Sequence, residues 1–362
     1  MRFIIMFILF ALLFASSVQA ATPQNYLFTD SDQLENIHPL LQREDIQGVQ
    51  IVYSWKQLEK AKGQYDFSAI EKDLAFTNKL HKKLFIQLQD RFFEPQHKNI
   101  PSYLQQEPQY LGGLMEQTDN PGEGKPEGSG WVAMQWNPAL RQQYQQLLAA
   151  LAKNFDGRIA GINLPETSID IDEKQAAKRG FTCERYFAAT QENMLFAKSV
   201  FKKSYVVQYV NFWPCEWNND HGYMSRLFET AQANNIGLGG PDIVPYKKGQ
   251  MKNAYPFFHQ YKGKLNLVAM AVQQPTLTYT NPKTHKKFTE QEFIQFAENY
   301  LGVNIIFWTT AALGCASNCP DYLILWKAHA FFLVANKKHR ALFYRFGLAK
   351  KGIPWLETTE DA

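Results

Sequence analysis

The 362-residue sequence lacks the signatures of several common chemistries. Its four cysteines make no CxxC and its eight histidines no HxxxH pair, so the spacing expected of a zinc site is missing. "GLGGPD" (237–242) is glycine-rich, but Pro241 interrupts it and no GxGxxG phosphate cradle is completed. No GxSxG elbow is present, which argues against a serine hydrolase of that type. Neither sign of charge is in marked excess: 38 Lys plus Arg stand against 34 Asp plus Glu. Such a balance argues against a protein built around nucleic acid, which needs a concentrated basic face. After residue 20 no run is apolar enough to cross a bilayer.

What is present begins with "MRFIIMFILFALLFASSVQA". Arg2 is followed by the apolar stretch Phe3 to Phe14, and Val18 and Ala20 are the small residues of a cleavage site. This is the pattern of a signal peptide spanning 1–20, with a mature chain near Ala21 and a periplasmic or secreted destination. Removing Arg2 leaves 37 basic residues against 34 acidic ones, a balance of +3. No cysteine lies near the cleavage site, so no membrane anchor is expected. An exported chain with Cys183, Cys215, Cys315 and Cys319 can form disulfides. The local pair Cys315–Cys319 is the first expectation and leaves Cys183–Cys215, with a zinc site as the competing reading.

Strand-like and helix-like segments alternate from about residue 46. Eight strand-like runs cover 46–55, 82–91, 130–136, 158–166, 204–213, 235–244, 265–274 and 303–310. Most are apolar on both faces, as parallel strands buried on both sides must be. Ser68 with Glu71 and Thr289 with Glu292 have the spacing of capping boxes, Pro138 suits a first helical turn, and Gly302 suits a helix end. A further helix is expected over "YLILWKAHAFFLVANKKH". The pattern predicts an α/β fold: one (β/α)8 TIM barrel over 21–362, with a long inserted loop (92–130) after strand two. A doubly wound open sheet is the alternative, and it lacks its glycine fingerprint after the first strand.

Trp55, Leu58, Glu59, Gly63 and "YDFS" (65–68) make the pattern W-x-x-L-E-x-x-x-G-x-Y-D-F-S. This resembles the first strand and loop of the retaining (β/α)8 glycoside hydrolases that use two glutamates, particularly the β-galactosidase-like and xylanase-like branches. The resemblance extends over the order and spacing of all eight strands. It implies a carbohydrate substrate or ligand, no metal or organic cofactor, and an acid/base glutamate at the end of strand four, usually just after an asparagine. There the sequence reads "GINLPE", with Asn163 and Glu166. Glu166 would be the general acid, its carboxyl kept protonated by an apolar mouth. The bland alternative is an acid at a helix start after Pro165.

The family's second glutamate ends strand seven, and there this chain has Gln273 and Gln274. An amide cannot attack an anomeric carbon as a carboxylate does. Three readings stay open. Another carboxylate serves, Asp242 after strand six or Glu216 after strand five. Alternatively an N-acetyl group on the substrate supplies the nucleophile, oriented by Gln273 or Gln274 and Tyr279. Or the protein binds glycans without cleaving them. Asp90 and Arg91 end strand two, Asn211 and Trp213 end strand five, and Trp308 ends strand eight. With Trp55 these are substrate-binding candidates, although Asp90 and Arg91 could equally form a supporting buried pair. Sugar-binding clefts use flat aromatic rings, and so do cores. A monomer is expected. The leader gives the first prediction: intact-mass measurement of the exported protein should find an N-terminus near Ala21, and a chain retaining residues 1–20 would contradict it.

Overall fold

The structure, a computed structural model, describes residues 22–92, 94–118 and 128–313. The leader, Cys315, Cys319, the expected helix after residue 320 and most of the glycine-rich part of the insertion lie outside the described residues.

Eight parallel strands close into a barrel: β1 Gln24–Asp30, β2 Ile46–Ser54, β3 Lys83–Gln89, β4 Gly161–Leu164, β5 Tyr205–Tyr209, β6 Gly237–Gly240, β7 Val268–Val272 and β8 Ile305–Thr309. Each strand pairs with its neighbours in sequence, and β1 pairs β8 to complete the circle. The main helices between strands are α1 Ser68–Lys79, α2 Pro138–Phe155, α3 Cys183–Val200, α4 Tyr223–Ala233, α5 Tyr255–Gln260 and α6 Glu290–Phe296. This is the (β/α)8 barrel that the alternating pattern predicts.

Strand alternation sorts the side chains. Tyr26, Phe28, Phe85, Val207, Tyr209 and Phe307 belong to one cluster, which fills the barrel. Leu27, Ile51, Leu88, Ile162, Val206 and Ile306 belong to the larger cluster between the barrel and its helices. Large interior rings need small neighbours. A Cβ on Gly161 would lie 2.4 Å from the Phe85 ring, and one on Gly48 2.5 Å from the Tyr26 ring. The helix starts follow local chemistry. Asn137 caps α2 by accepting the N–H groups of Ala139 and Leu140, with Pro138 next. Thr289 and Glu292 form the expected capping box on α6. Gly302 takes φ 70°, a left-handed conformation suited to glycine, where the helical run ends.

Three expectations need correction. The first barrel strand is "QNYLFTD", which is not among the eight strand-like runs expected from the sequence and directly follows the expected leader. The run at 130–136 is not a barrel strand. Gly128–Ala133 pairs antiparallel with Leu114–Thr118 and Arg91–Phe92 in a separate three-stranded sheet. A strand's residue pattern does not say which sheet will take it. The two errors cancel by 158–166, so β4 is indeed fourth. The W-x-x-L-E segment therefore ends β2, and the long insertion follows β3, not strand two. Lastly, Ser68 and Glu71 form no capping box: the Ser68 hydroxyl donates to Asp66, and Glu71 pairs with Arg158.

Cys183, at the start of α3, is disulfide-bonded to Cys215 in the loop after β5, with Cα atoms 6.2 Å apart. The bridge closes a loop of 32 residues. Replacing either cysteine with serine should lower stability by about 2–4 kcal/mol, read as a lower urea midpoint. An unchanged midpoint in oxidising buffer would show that the bridge contributes nothing.

Candidate active site

All eight strands point the same way, so the residues that follow each strand gather at one end of the barrel, where (β/α)8 enzymes place their sites. At the end of β4, Asn163 faces into the barrel and Leu164 faces the helices. Pro165 and Glu166 then form a turn bound on several sides. Arg91 Nη1 donates to the carbonyl oxygens of Glu166 (2.8 Å) and Ser168 (3.2 Å). The Gln208 amide donates to the Pro165 carbonyl. The Thr167 N–H donates to the Tyr209 carbonyl, while the Thr167 hydroxyl accepts the Asn211 N–H at 3.0 Å. Glu166 is therefore not an acid at a helix start. The next helix, Glu173–Ala177, begins seven residues later and is capped by Asp172.

The Arg91 guanidinium is buried. Its Nε lies 2.9 Å from Asp90 Oδ1, and the other Asp90 oxygen accepts from Gln135 at 2.9 Å. The structure thus makes Asp90 and Arg91 a buried pair that holds the β4 turn.

Glu166 is itself buried, and its Oε2 accepts from Asn211 Nδ2 at 3.1 Å. Burial raises its pKa, while the Asn211 hydrogen bond and the Arg91 charge oppose that rise. Asp242 follows β6, and its backbone is fixed by the Tyr255 hydroxyl, which donates to the Asp242 carbonyl and accepts the Val244 N–H. Its carboxyl is pushed up to about 8, first by burial and then by the negative charge of Glu166, with Lys247 opposing. The structure thus brings the two carboxyls expected from the sequence into one electrostatic neighbourhood. The Tyr209 hydroxyl, which accepts from Gln50 at 2.8 Å, feels both of them. Tyr279 lies near Asp242 and is pushed up to about 12, mainly by burial.

Beneath the mouth the barrel carries amides. Gln50 Nε2 donates to Asn163 Oδ1 at 2.8 Å. On these inward-facing positions Gln50 Oε1, Gln87 Oε1, Asn163 Nδ2 and Gln273 Oε1 are buried and find no partner among the described residues. Gln273 faces inward just beyond β7, and Gln274, half-buried, starts the short turn Pro275–Thr278.

Several candidates fall elsewhere. Trp55 is 0% exposed, with its indole N–H bound to Glu59 and its ring packed edge-on against Tyr144. Trp308 is also 0% exposed, faces the helices and donates to Asn25. Trp213 packs among Tyr186, Phe187 and Tyr223. These three rings are core packing and present no face to a ligand. Glu216 is not a mouth carboxylate, because it accepts the N–H groups of Tyr223 and Met224 at the start of α4. Sequence reasoning missed Tyr209 and Lys247. It also missed Asp30, which ends β1 and is raised to about 6, mainly by burial. The one available signal was Asp30's place after "NYLFT", once that segment is read as a strand.

No family model and no curated protein matches the chain. Solved structures do. The chain is similar to the catalytic domain of a β-amylase from Paenibacillus polymyxa, with a TM-score of 0.51 and 10% identity over 80% of this chain and 93% of that one. It is also similar to a β-galactosidase from Marinomonas ef1, with a TM-score of 0.51 and 8% identity over 79% of this chain. The match covers 53% of that β-galactosidase, so the chain spans about half its length. At this identity the likeness establishes the fold, a (β/α)8 barrel of the kind found in glycoside hydrolases.

The carboxyl pair has a consequence for stability. Asp242 is harder to ionise folded than unfolded. Its contribution is fully present below the unfolded value of 3.8 and is lost as pH rises through about 8. Melting temperatures measured from pH 4 to 9 should fall less steeply for Asp242→Asn than for the parent protein. Identical slopes would contradict the burial of an ionisable group there.

Proposed function

We propose that this protein cleaves O-glycosidic bonds in a poly- or oligosaccharide, with Glu166 and Asp242 as its acid–base pair. The observation that carries the reading is the two buried carboxyls at the strand ends of a (β/α)8 barrel, one raising the pKa of the other. Glycoside hydrolysis needs such a pair: one carboxyl gives a proton to the leaving oxygen while the other works ionised. Asn211, which holds Glu166, and the unpaired amide atoms of Asn163 and Gln273 are suited to hydroxyl groups, which both donate and accept. Asp242 takes the part that the strand-seven position, occupied by Gln273, cannot play.

A second reading has its own support. It holds that, with Gln273 at the end of β7 in place of a carboxylate, the barrel binds glycans without cleaving them. Incubating the purified protein with neutral and charged glycans separates the two. The hydrolytic reading expects new reducing ends from the parent protein, and a loss of at least about 100-fold in both Glu166→Gln and Asp242→Asn. Binding without turnover, unchanged by either substitution, would support the binding protein. The leader and the Cys183–Cys215 bridge support action in the periplasm or outside the cell.

A further inference from the structure

Two carboxyls that share a site divide into proton donor and ionised partner according to their surroundings. The surroundings here are unequal. Glu166 accepts a hydrogen bond from Asn211, and the Arg91 guanidinium, bound to the Glu166 carbonyl, is near enough to favour its charge. Tyr186 and Tyr209 are its other titratable neighbours. Asp242 has a cation nearby, Lys247, but no hydrogen bond of that kind: among the described residues no N–H or O–H group donates to its carboxyl. Its titratable neighbours are Glu166, Tyr209, Tyr255, Tyr279 and Lys247. Lys247 is half-buried, with its ammonium 5.1 Å from the centre of the Tyr279 ring, and its pull on Asp242 is smaller than the push from Glu166.

Resting on the hydrolytic reading above, we propose that Asp242 is the proton donor and Glu166 the ionised partner, the reverse of the division that the sequence resemblance implies. In the balanced step, the Asp242 proton passes to the glycosidic oxygen as the C1–O bond breaks. The oxygen of an incoming water bonds to C1, and the Glu166 carboxylate takes the proton that this water gives up. Asp242 then regains a proton from solvent and Glu166 loses one. The electrostatics agree in direction: burial and the negative charge of Glu166 push the Asp242 carboxyl up to about 8, while the Asn211 hydrogen bond and the Arg91 charge oppose the rise at Glu166.

The test uses the full chain with ¹³C-labelled side-chain carboxyls, titrated by NMR. The parent protein should show one step near pH 8. That step should vanish in Asp242→Asn. In Glu166→Gln it should survive and move down by about one unit or more, because the repelling charge is gone. A step that vanishes in Glu166→Gln and persists in Asp242→Asn overturns the assignment, as does a parent protein with no such step. If Glu166→Gln does not fold, Asn211→Ala decides. It should raise the lower of the two steps, and movement of the upper step instead assigns that step to Glu166 and overturns the proposal.

Turnover gives the second arm. A donor is dispensable when the leaving group is good, so Asp242→Asn should keep turnover of dinitrophenyl glycosides while losing it on natural linkages. Glu166→Gln should lose both, and the opposite pattern overturns the proposal. The titration needs no activity. A parent protein that cleaves nothing therefore overturns the donor role together with the hydrolytic reading, and the titration alone decides where the proton sits.

Discussion

Arg91 is the constraint on which the mouth of this barrel depends. A guanidinium buried to this degree is tolerable only if its charge and its donors are met. Asp90 meets the charge through Nε, and the carbonyl oxygens of Glu166 and Ser168 accept from Nη1. One side chain from the end of β3 thereby fixes the turn after β4. Thr167 passes the constraint to β5, whose Asn211 returns a hydrogen bond to the Glu166 carboxylate. Glu166 is held in place by three successive strands. A carboxylate placed this firmly can be poised for chemistry, since precise positioning depends on the groups behind the reacting one.

Burial then does the electrostatic work. Glu166 and Asp242 sit in the same poorly solvated region, where ionising one makes ionising the other harder. The amides of Gln50, Asn163 and Gln273 add polar groups without adding charge. Lys247 is the nearby cation on Asp242's side, and it moderates the repulsion without cancelling it.

Much of this was legible in the sequence, for physical reasons that differ by residue. The barrel was readable because parallel strands must be apolar on both faces, and because helix signals fall between them. Glu166 and Asp242 were readable because a polar residue just past a buried strand has few destinations other than the mouth. Trp55, Trp213 and Trp308 were misread for a related reason. A ring at a strand end turns inward or toward the helices with a shift of one residue, and composition does not reveal that parity. Glu216 was misread because its partners are backbone N–H groups, which any sequence offers. Strand β1 was missed because it comes directly after the expected leader in the sequence, and the antiparallel ribbon at 128–133 took its place in the count. The Asn211–Glu166 bond depends on two loops meeting in space, which no local pattern encodes.

The central claim is that Glu166 and Asp242 act as one unit. The most direct measurement is a double-mutant cycle on glycan hydrolysis, using Glu166→Gln, Asp242→Asn and the combined variant. Groups that serve the same step are not additive, so the account predicts that the double variant is scarcely slower than the slower single one. Losses that multiply, or a single variant with full activity, would contradict it.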